Sequence, residues 1–343
     1  MAERTSAPTA SPASQVMELV GAKIRTYVLG AFAELRLADL LATGPKSAEQ
    51  LSATTGAHAP TVKRLLRTLA GLDIVFEPEP GVYGLTSAGT LLRSDVPGSL
   101  RGIAVMFGSA FHAQAWGHLT HSVKTGEPAF DHVFGKPLFE YLETNPELAA
   151  IFDQAMTSGS AGQSQAVVDA YDFSGIGTVV DVGGGHGTLL ATILKNNPSA
   201  KGVLFDLPHV AAGAGMLFDE AGVRERVDLK SGSFLEEVPG GGDAYIMKRI
   251  IHDWDDKRAA KILANCRDAM APGGRILVVD CVINDSAASL YGKLLDMEML
   301  VMTPNGKERT GEEFRQLFED AGLRLERIVD TASPFKIVEA RLQ

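Results

Sequence analysis

His252 stands in Lys248-Arg249-Ile250-Ile251-His252-Asp253-Trp254, directly after the apolar run Ala244-Tyr245-Ile246-Met247. A histidine leaving the end of a buried strand is a good general base, because its ordinary pKa of about 6.5 lets it take a proton near neutrality. Two acids stand where a carboxylate would reach that ring: Asp280, closing the run Ile276-Leu277-Val278-Val279, and Glu308 in Gly306-Lys307-Glu308-Arg309-Thr310. A carboxylate on the second ring nitrogen fixes the tautomer and stabilises the imidazolium. The plainer alternatives are a core or capping histidine, and acids that pair with Arg309 or stay solvated.

A second constellation lies earlier in the chain. The run Val179-Val180-Asp181-Val182 breaks into Gly183-Gly184-Gly185-His186-Gly187 and resumes as the helical pattern Thr188-Leu189-Leu190-Ala191-Thr192-Ile193-Leu194. Strand, tight turn and helix are the first crossover of a nucleotide-binding α/β domain. Glycines at alternate positions permit positive φ and let a ligand lie against bare backbone beside a helix N-terminus. The next strand, Val203-Leu204-Phe205, ends in Asp206, placed to accept both hydroxyls of a ribose. That much suits NAD and S-adenosylmethionine (SAM) equally. Three features favour SAM: the spacing G-x-G-x-G, Asp181 ahead of it to face an ammonium group, and the turn Pro272-Gly273-Gly274 into the fifth strand. No Gly-Lys-Ser/Thr is present, which excludes a P-loop. His186 reads as a backbone spacer at a helix start.

The elements that position these residues alternate from Thr178 onward. Strands are expected at 178–182, 202–205, 226–230, 243–247 and 274–281, two closing strands at 323–330 and 335–341, and a crossover helix from Asp255 to Met270. Such alternation predicts an α/β fold with a mostly parallel sheet covered on both faces. Ahead of it, Gln15 to Ala42 carries a helical pattern more apolar than a surface helix needs, which suggests burial against a partner subunit or within its own domain. Residues 46–93 read as a winged helix-turn-helix, with a Ser47 cap, a turn at Gly56, a second helix from Pro60 and a hairpin around Pro78, Pro80 and Gly81. Lys63, Arg64 and Arg67 on that second helix read as a solvated face, not a DNA reader. Residues 101–170 are expected to be a helical connection rich in aromatics, Trp116 among them, which reads equally as core or as the wall of an aromatic-substrate pocket. His118 and His121 have the spacing of a metal pair, but no neighbouring carboxylate completes a ligand set, so no metal site is expected. Leu295 to Met302, with Met297, Met299 and Met302, suits a pocket for flat apolar ligands or plain core.

Length and composition bound the answer. A chain of 343 residues accommodates two domains, divided here near residue 170. The balance of 32 Lys+Arg against 42 Asp+Glu, a net charge of −10, disfavours a nucleic-acid partner. Cys266 and Cys281 match no metal spacing and read as buried thiols in a reducing cytoplasm. Residues 1–14 read as a disordered tail without a signal-peptide core, and no apolar stretch is long enough to cross a bilayer.

Over nearly its whole length the chain resembles the SAM-dependent O-methyltransferases that include plant phenolic enzymes and bacterial secondary-metabolite tailoring enzymes. Val180–Gly187, Phe205-Asp206-Leu207-Pro208-His209-Val210, Ile251-His252-Asp253-Trp254 and Gly306–Thr310 carry the resemblance. It implies a class I, Rossmann-like catalytic domain over 171–343, preceded by a winged-helix dimerisation domain over 15–100 that makes a homodimer and supplies part of the partner's pocket. It further implies that Asp181, Gly183 and Gly185 cradle SAM, Asp206 takes its ribose, Phe234 stacks on the adenine and Lys248 lies at the cofactor edge. His252 would deprotonate the acceptor hydroxyl, with Asp280 and Glu308 as the acidic pair around it and Asp253 on the acceptor side. Met156 and Ser160 match positions near the transferred methyl. The family uses no metal and leaves S-adenosylhomocysteine (SAH) as product. Ser233 stands where the family often has an acid, which weakens the adenine amino contact. The acceptor class implied is an aromatic or polyketide-like small molecule. A relative that methylates nitrogen or carbon, one that does not methylate, and a SAM-sensing DNA-binding regulator are the alternative readings.

Overall fold

The computed structural model describes residues 11–343 except Gly159 and Ala212, and leaves the side chains of Ser160, Ala161 and His209 undescribed. The chain divides between Ala113 and Gln114. Arg101 to Ala113 thus belong with the N-terminal unit and 114–170 with the sheet, where a separate connection over 101–170 and a boundary near 170 were expected.

In the N-terminal unit, α1 spans Pro12–Glu34, capped by Ser11, whose hydroxyl accepts from the Ser14 N–H. The helix therefore begins inside the segment expected to be a disordered tail, and residues 1–10 of that tail lie outside the described residues. The long apolar pattern does not make one helix either. Arg36 adopts φ +52, a left-handed conformation that no α-helix continues through, and α2 (Leu37–Leu41) starts in a new direction. The winged helix follows as expected: β1 (Lys46–Ser47), α3 (Ala48–Thr55), α4 (Ala59–Gly71), β2 (Val75–Glu79) and β3 (Val82–Leu85). Ser47 and Gln50 close a capping box on α3, and Gly56 ends it at φ +72. The strands order β1-β3-β2. Short α5 (Ser87–Thr90) leads to α6 (Arg101–Gly108), which meets α1 backbone to backbone, since a Cβ on Gly30 would lie 2.7 Å from the Gly108 Cα. Leu51, Val62, Leu66, Leu69 and Tyr83 are buried between these elements.

Helix α7 (Ala110–Gly117) crosses the division. The second unit continues with α8 (Leu119–Thr125), α9 (Ala129–Phe134), α10 (Leu138–Glu143), α11 (Pro146–Thr157) and α12 (Ser160–Ala170). The alternating part is then β4 (Thr178–Val182), α13 (Thr188–Asn196), β5 (Lys201–Asp206), α14 (Pro208–Ala211), α15 (Gly215–Glu220), β6 (Val227–Ser231), β7 (Ala244–Lys248), α16 (Asp256–Ala269) and β8 (Arg275–Asp280). It closes with β9 (Val282–Ile283), α17 (Leu290–Met302), β10 (Arg309–Thr310), α18 (Gly311–Asp320), β11 (Leu323–Asp330) and β12 (Lys336–Leu342). These strands match the expected ones to within a residue or two, because buried parallel strands read as β-branched runs between turn residues.

The seven-stranded sheet orders β11-β12-β8-β7-β4-β5-β6, with β12 antiparallel to both of its neighbours and β4 to β8 parallel. The chain leaves β4 toward β5 on one side and returns to β7 on the other. The crevice between the carboxyl ends of β4 and β7 is the topological switch point, where α/β sheets bind their ligands. Apolar clusters cover the two faces, one around Ile193, Phe218, Ile246 and Val279, the other around Met247, Ile262, Phe314 and Val338. Cys266 and Cys281 are buried free thiols, and among the described residues no helix is long and apolar enough to cross a membrane.

Candidate active site

The switch point brings the two constellations side by side. Val180 of β4 pairs with Tyr245 of β7, so the glycine turn and the His252 turn leave adjacent strands. Gly183, Gly185 and Gly187 all take positive φ (+68, +60 and +84). A Cβ on Gly183 would lie 2.5 Å from Ile250 Cδ1 and 3.4 Å from Phe234 Cε1, whereas one on Gly185 would meet nothing within 4 Å. The first glycine is needed for close packing and the second for a turn with open space beside it.

Asp206 closes the turn. Its Oδ2 accepts the Gly185 N–H at 2.8 Å and its Oδ1 the Leu207 N–H at 2.7 Å. Asp181 is buried under Gly184, with Oδ2 lacking a hydrogen-bond partner. Burial pushes its carboxyl up to about 7, against the pull of the Lys248 ammonium. Burial and neighbouring Arg249 in turn draw Lys248 down to about 8, with Asp181 opposing. The ammonium acting on Asp181 in this structure is thus the chain's own. Phe234 stands edge-on to Trp254 at 5.8 Å, held by the Asn265 amide donating to the Phe234 carbonyl at 2.9 Å. Ser233 is half-buried, its carbonyl accepting the N–H of Glu236 and of Glu237.

His186 is more than a spacer. Its Nδ1 lies 3.3 Å from Thr157 Oγ1 at the end of α11, which ties the helix carrying half-buried Met156 to the glycine turn. Ser160 opens α12, and its side chain lies outside the described residues.

At the β7 exit, Arg249 takes φ +60, a strained conformation for a non-glycine residue. A single 3₁₀ turn, Ile251–Asp253, then presents His252, which is 3% exposed. Its Nδ1–H donates to Glu308 Oε1 at 2.6 Å, and its Nε2 lies 3.6 Å from Asp253 Oδ1. Asp280 is fully buried and neither of its oxygens makes a hydrogen bond. Of the two acids the sequence offered, Glu308 orients the ring, and Asp280 acts on it only through its charge. Burial by itself pulls the imidazole down, but the carboxylates of Glu308, Asp253 and Asp280 outweigh it and hold it at about 9. Burial pushes Asp280 up to about 7, against the pull of His252.

A clamp built from the Gly306–Thr310 turn holds this arrangement. The Lys307 N–H donates to the His252 carbonyl at 2.8 Å. A Cβ on Gly306 would lie 2.7 Å from that same oxygen, so glycine alone lets the turn close. Arg309, 1% exposed, donates to the carbonyls of Ile251 (3.0 Å) and Trp254 (2.9 Å) and to Asp256 Oδ1 (2.8 Å). In the plainer alternative the sequence allowed, Arg309 pairs with Asp280 or Glu308. It serves instead as the bracket around the His252 turn, a role with no local sequence signal because its acceptors are backbone oxygens more than fifty residues away. Asp296 on α17 accepts the Glu308 N–H at 2.9 Å.

Trp116 donates its indole N–H to Glu298 Oε2 at 2.6 Å. Met299 and Met302 are buried and Met297 half-buried. His121 and His132 stack face to face at 4.0 Å, with His118 5.7 Å from His132. Stacked rings direct their lone pairs along parallel planes, and among the described residues no group of three or more His, Cys, Asp or Glu is arranged to hold a metal.

Two family models match the chain: an O-methyltransferase domain over residues 116–324 and an O-methyltransferase dimerisation domain over residues 17–95. The chain belongs to the SAM-dependent O-methyltransferase family. The methyltransferase is 44% identical to the phenazine O-methyltransferase PhzM of Lysobacter antibioticus, with 99% of each chain covered. It is 41% identical to the O-demethylpuromycin-O-methyltransferase of Streptomyces alboniger, covering 95% of this chain and 88% of that one. Among solved structures it superposes at a TM-score of 0.79 and 32% identity on NcsB1 from neocarzinostatin biosynthesis, in complex with SAM and 2-hydroxy-5-methyl naphthoic acid, covering 98% and 100% of the two chains. The methyltransferase thus has SAM as its methyl donor, on a class I fold with an N-terminal dimerisation domain.

Proposed function

We propose that this methyltransferase moves the SAM methyl group onto a hydroxyl of an aromatic or polyketide-like small molecule, with His252 as the general base. The observation that carries the reading is the buried His252–Glu308 pair, bonded at 2.6 Å through Nδ1, which leaves Nε2, 3.6 Å from Asp253 Oδ1, as the ring nitrogen able to take a proton. Glu308 fixes the tautomer and stabilises the charge that the ring gains when the acceptor hydroxyl gives up its proton. Asp253, beside Nε2, faces the acceptor.

The glycine turn fits SAM by its own geometry: open space over Gly185, a carboxylate at Asp206 and an unpartnered buried oxygen on Asp181. Asp181, Gly183, Gly185, Asp206, Ser233, Phe234 and Lys248 would hold it, with Met156 and Ser160 toward the methyl end. Bound SAM supplies a methyl already activated on a sulfonium. The protein's own contribution is therefore alignment of the acceptor oxygen and removal of its proton. Trp116, Met297, Met299 and Met302 form the acceptor side.

Incubation with methyl-labelled SAM and a panel of hydroxyphenazines, aminohydroxybenzoates and naphthols tests the reaction, with label expected in an ether methyl. Label on nitrogen or carbon alone, or none in any acceptor, overturns the hydroxyl assignment. For the cofactor site, Asp206→Ala is expected to weaken SAM binding by roughly 10- to 100-fold, the scale of hydrogen bonds to a charged group. An unchanged dissociation constant by calorimetry removes Asp206 from the site.

The protein works as a homodimer on this reading. Val16, Met17, Leu19, Val20, Ile24 and Tyr27 stand exposed along α1, Leu19 at 70%, a stripe that a single chain leaves in water. Sedimentation equilibrium reads the assembly, and a monomer at micromolar concentration would contradict it.

A further inference from the structure

His252 sits on a turn that holds itself poorly. The 3₁₀ segment Ile251–Asp253 follows strained Arg249, and its internal bonds are long: the Asp253 N–H reaches the Ile250 carbonyl at 3.2 Å and the Trp254 N–H the Ile251 carbonyl at 3.3 Å. The bonds that brace it from outside are shorter. The Lys307 N–H donates to the His252 carbonyl at 2.8 Å, and the Arg309 guanidinium donates to the carbonyls of Ile251 and Trp254 at 3.0 and 2.9 Å.

The brace is anchored away from the ring. A guanidinium buried as deeply as this one keeps its charge and needs a counter-charge. Asp256, in the first turn of α16, supplies it: Oδ1 accepts from Arg309 Nε at 3.0 Å and Nη2 at 2.8 Å, and Oδ2 accepts from Lys307 Nζ at 2.9 Å. Partial burial alone would raise this carboxyl, but the Lys307 and Arg309 bonds outweigh it and hold it below the ordinary carboxylate range. The aspartate is itself exposed, its side chain 56% accessible. One surface acid thus ties together both arms that close on the His252 turn.

We propose that Asp256 and Arg309 are positioning residues for methyl transfer: as a pair they fix where the His252 ring stands, and so the distance over which it takes the acceptor's proton. This rests on His252 as the general base. A misplacement of about 1 Å costs roughly 10²-fold in rate. The carboxylates that raise the ring are those of Glu308, Asp253 and Asp280, so losing the brace slows turnover and leaves the pH profile in place.

Arg309→Lys keeps the charge, but one ammonium cannot span two carbonyls and a carboxylate as the planar fork does. With the best acceptor among the hydroxyphenazines and naphthols, its kcat is expected to fall by roughly 10- to 100-fold. SAM affinity and binding stoichiometry by calorimetry, and the acid limb of the pH profile, are expected to stay as in the wild type. A lowered stoichiometry marks unfolding, and Asp256→Ala, at an exposed position, then decides alone, with an expected loss of roughly 5- to 20-fold. The double variant is expected within about threefold of Arg309→Lys, because residues of one network do not add. Turnover within about threefold of wild type in the folded single variants, fully additive losses, or a shifted acid limb overturns the inference. His252→Ala run alongside separates the two readings. Clamp variants at full rate beside an inactive His252→Ala overturn the clamp alone, whereas an active His252→Ala removes the base and the clamp with it. Amide hydrogen exchange reads the brace without any acceptor. Exchange at Trp254 and Lys307 is expected to quicken by roughly tenfold or more in both variants while the β7 amides keep their protection, and unchanged exchange there overturns the inference.

Discussion

His252→Ala is expected to lower turnover by about 10²- to 10⁴-fold, the range that a positioned general base contributes, while SAM binding measured by calorimetry stays within about twofold. The ring lies at the end of β7, and its interactions are with Glu308 and Asp253, neither of which belongs to the glycine turn. Removing it therefore deletes the proton acceptor without touching the cofactor cradle. The substitution also leaves Glu308, 2% exposed, without the donor at its Oε1, so some loss of thermal stability accompanies the loss of rate. His252→Gln keeps a hydrogen-bond donor for that carboxylate and separates the two effects. If stability recovers and turnover does not, proton transfer is the function lost. Near-wild-type turnover in either variant ends the general-base role.

Glu308→Gln is expected to move the pH profile as well as lower it. A general base works only when neutral. With His252 held at about 9 in the free protein, kcat/KM for SAM, which reports the free enzyme, should rise about tenfold per pH unit below that value and level off above it. Glu308 is the largest of the anionic influences that raise the ring, so the amide lets burial pull the pKa down. The acid limb then shifts to lower pH, while the plateau falls, by roughly 10²-fold, because the imidazolium has lost its counter-charge. Asp280→Asn, which removes a weaker influence and no hydrogen bond, shifts the limb in the same direction by less and costs less at the plateau. An acid limb that stays in place in Glu308→Gln would mean that another group sets the profile.

The parts of this fold that were legible in the chain are those whose signal is local. Val179 to Val182 and Ile276 to Val279 are buried on both faces and so read as near-continuous apolar runs. Ser47 with Gln50 marks a helix start within four residues. The glycine turn announces itself because positive φ at Gly183, Gly185 and Gly187 demands that residue type. Local pattern failed where a single backbone angle overrode it. Arg36 lies inside an apolar periodicity that runs on toward Ala42, yet its left-handed φ ends one helix and starts another. The tail failed for a similar reason, since Ser11 and Pro12 form a helix start that low hydrophobicity concealed.

The candidate site divides along the same line. Residue types at strand exits were enough to name His252, Asp206 and the glycine turn, because strand ends of an α/β sheet face one crevice whatever the loops do. They were not enough to choose between Asp280 and Glu308. Both are acids at the right exits, and the choice depends on which turn closes over the histidine. That closure is made by Gly306, Lys307 and Arg309 reaching backbone oxygens at Ile251, His252 and Trp254, and by Asp296 reaching the Glu308 N–H. Nor was the Trp116–Glu298 bond visible, its partners being 182 residues apart. By itself the sequence determined the family of chemistry, since glycine spacing and an acid or imidazole at each strand end are properties of short segments. Tertiary structure alone decided which carboxylate bonds the His252 ring and which acid the Trp116 indole meets, because hydrogen bonds between distant segments depend on distances that no local pattern encodes.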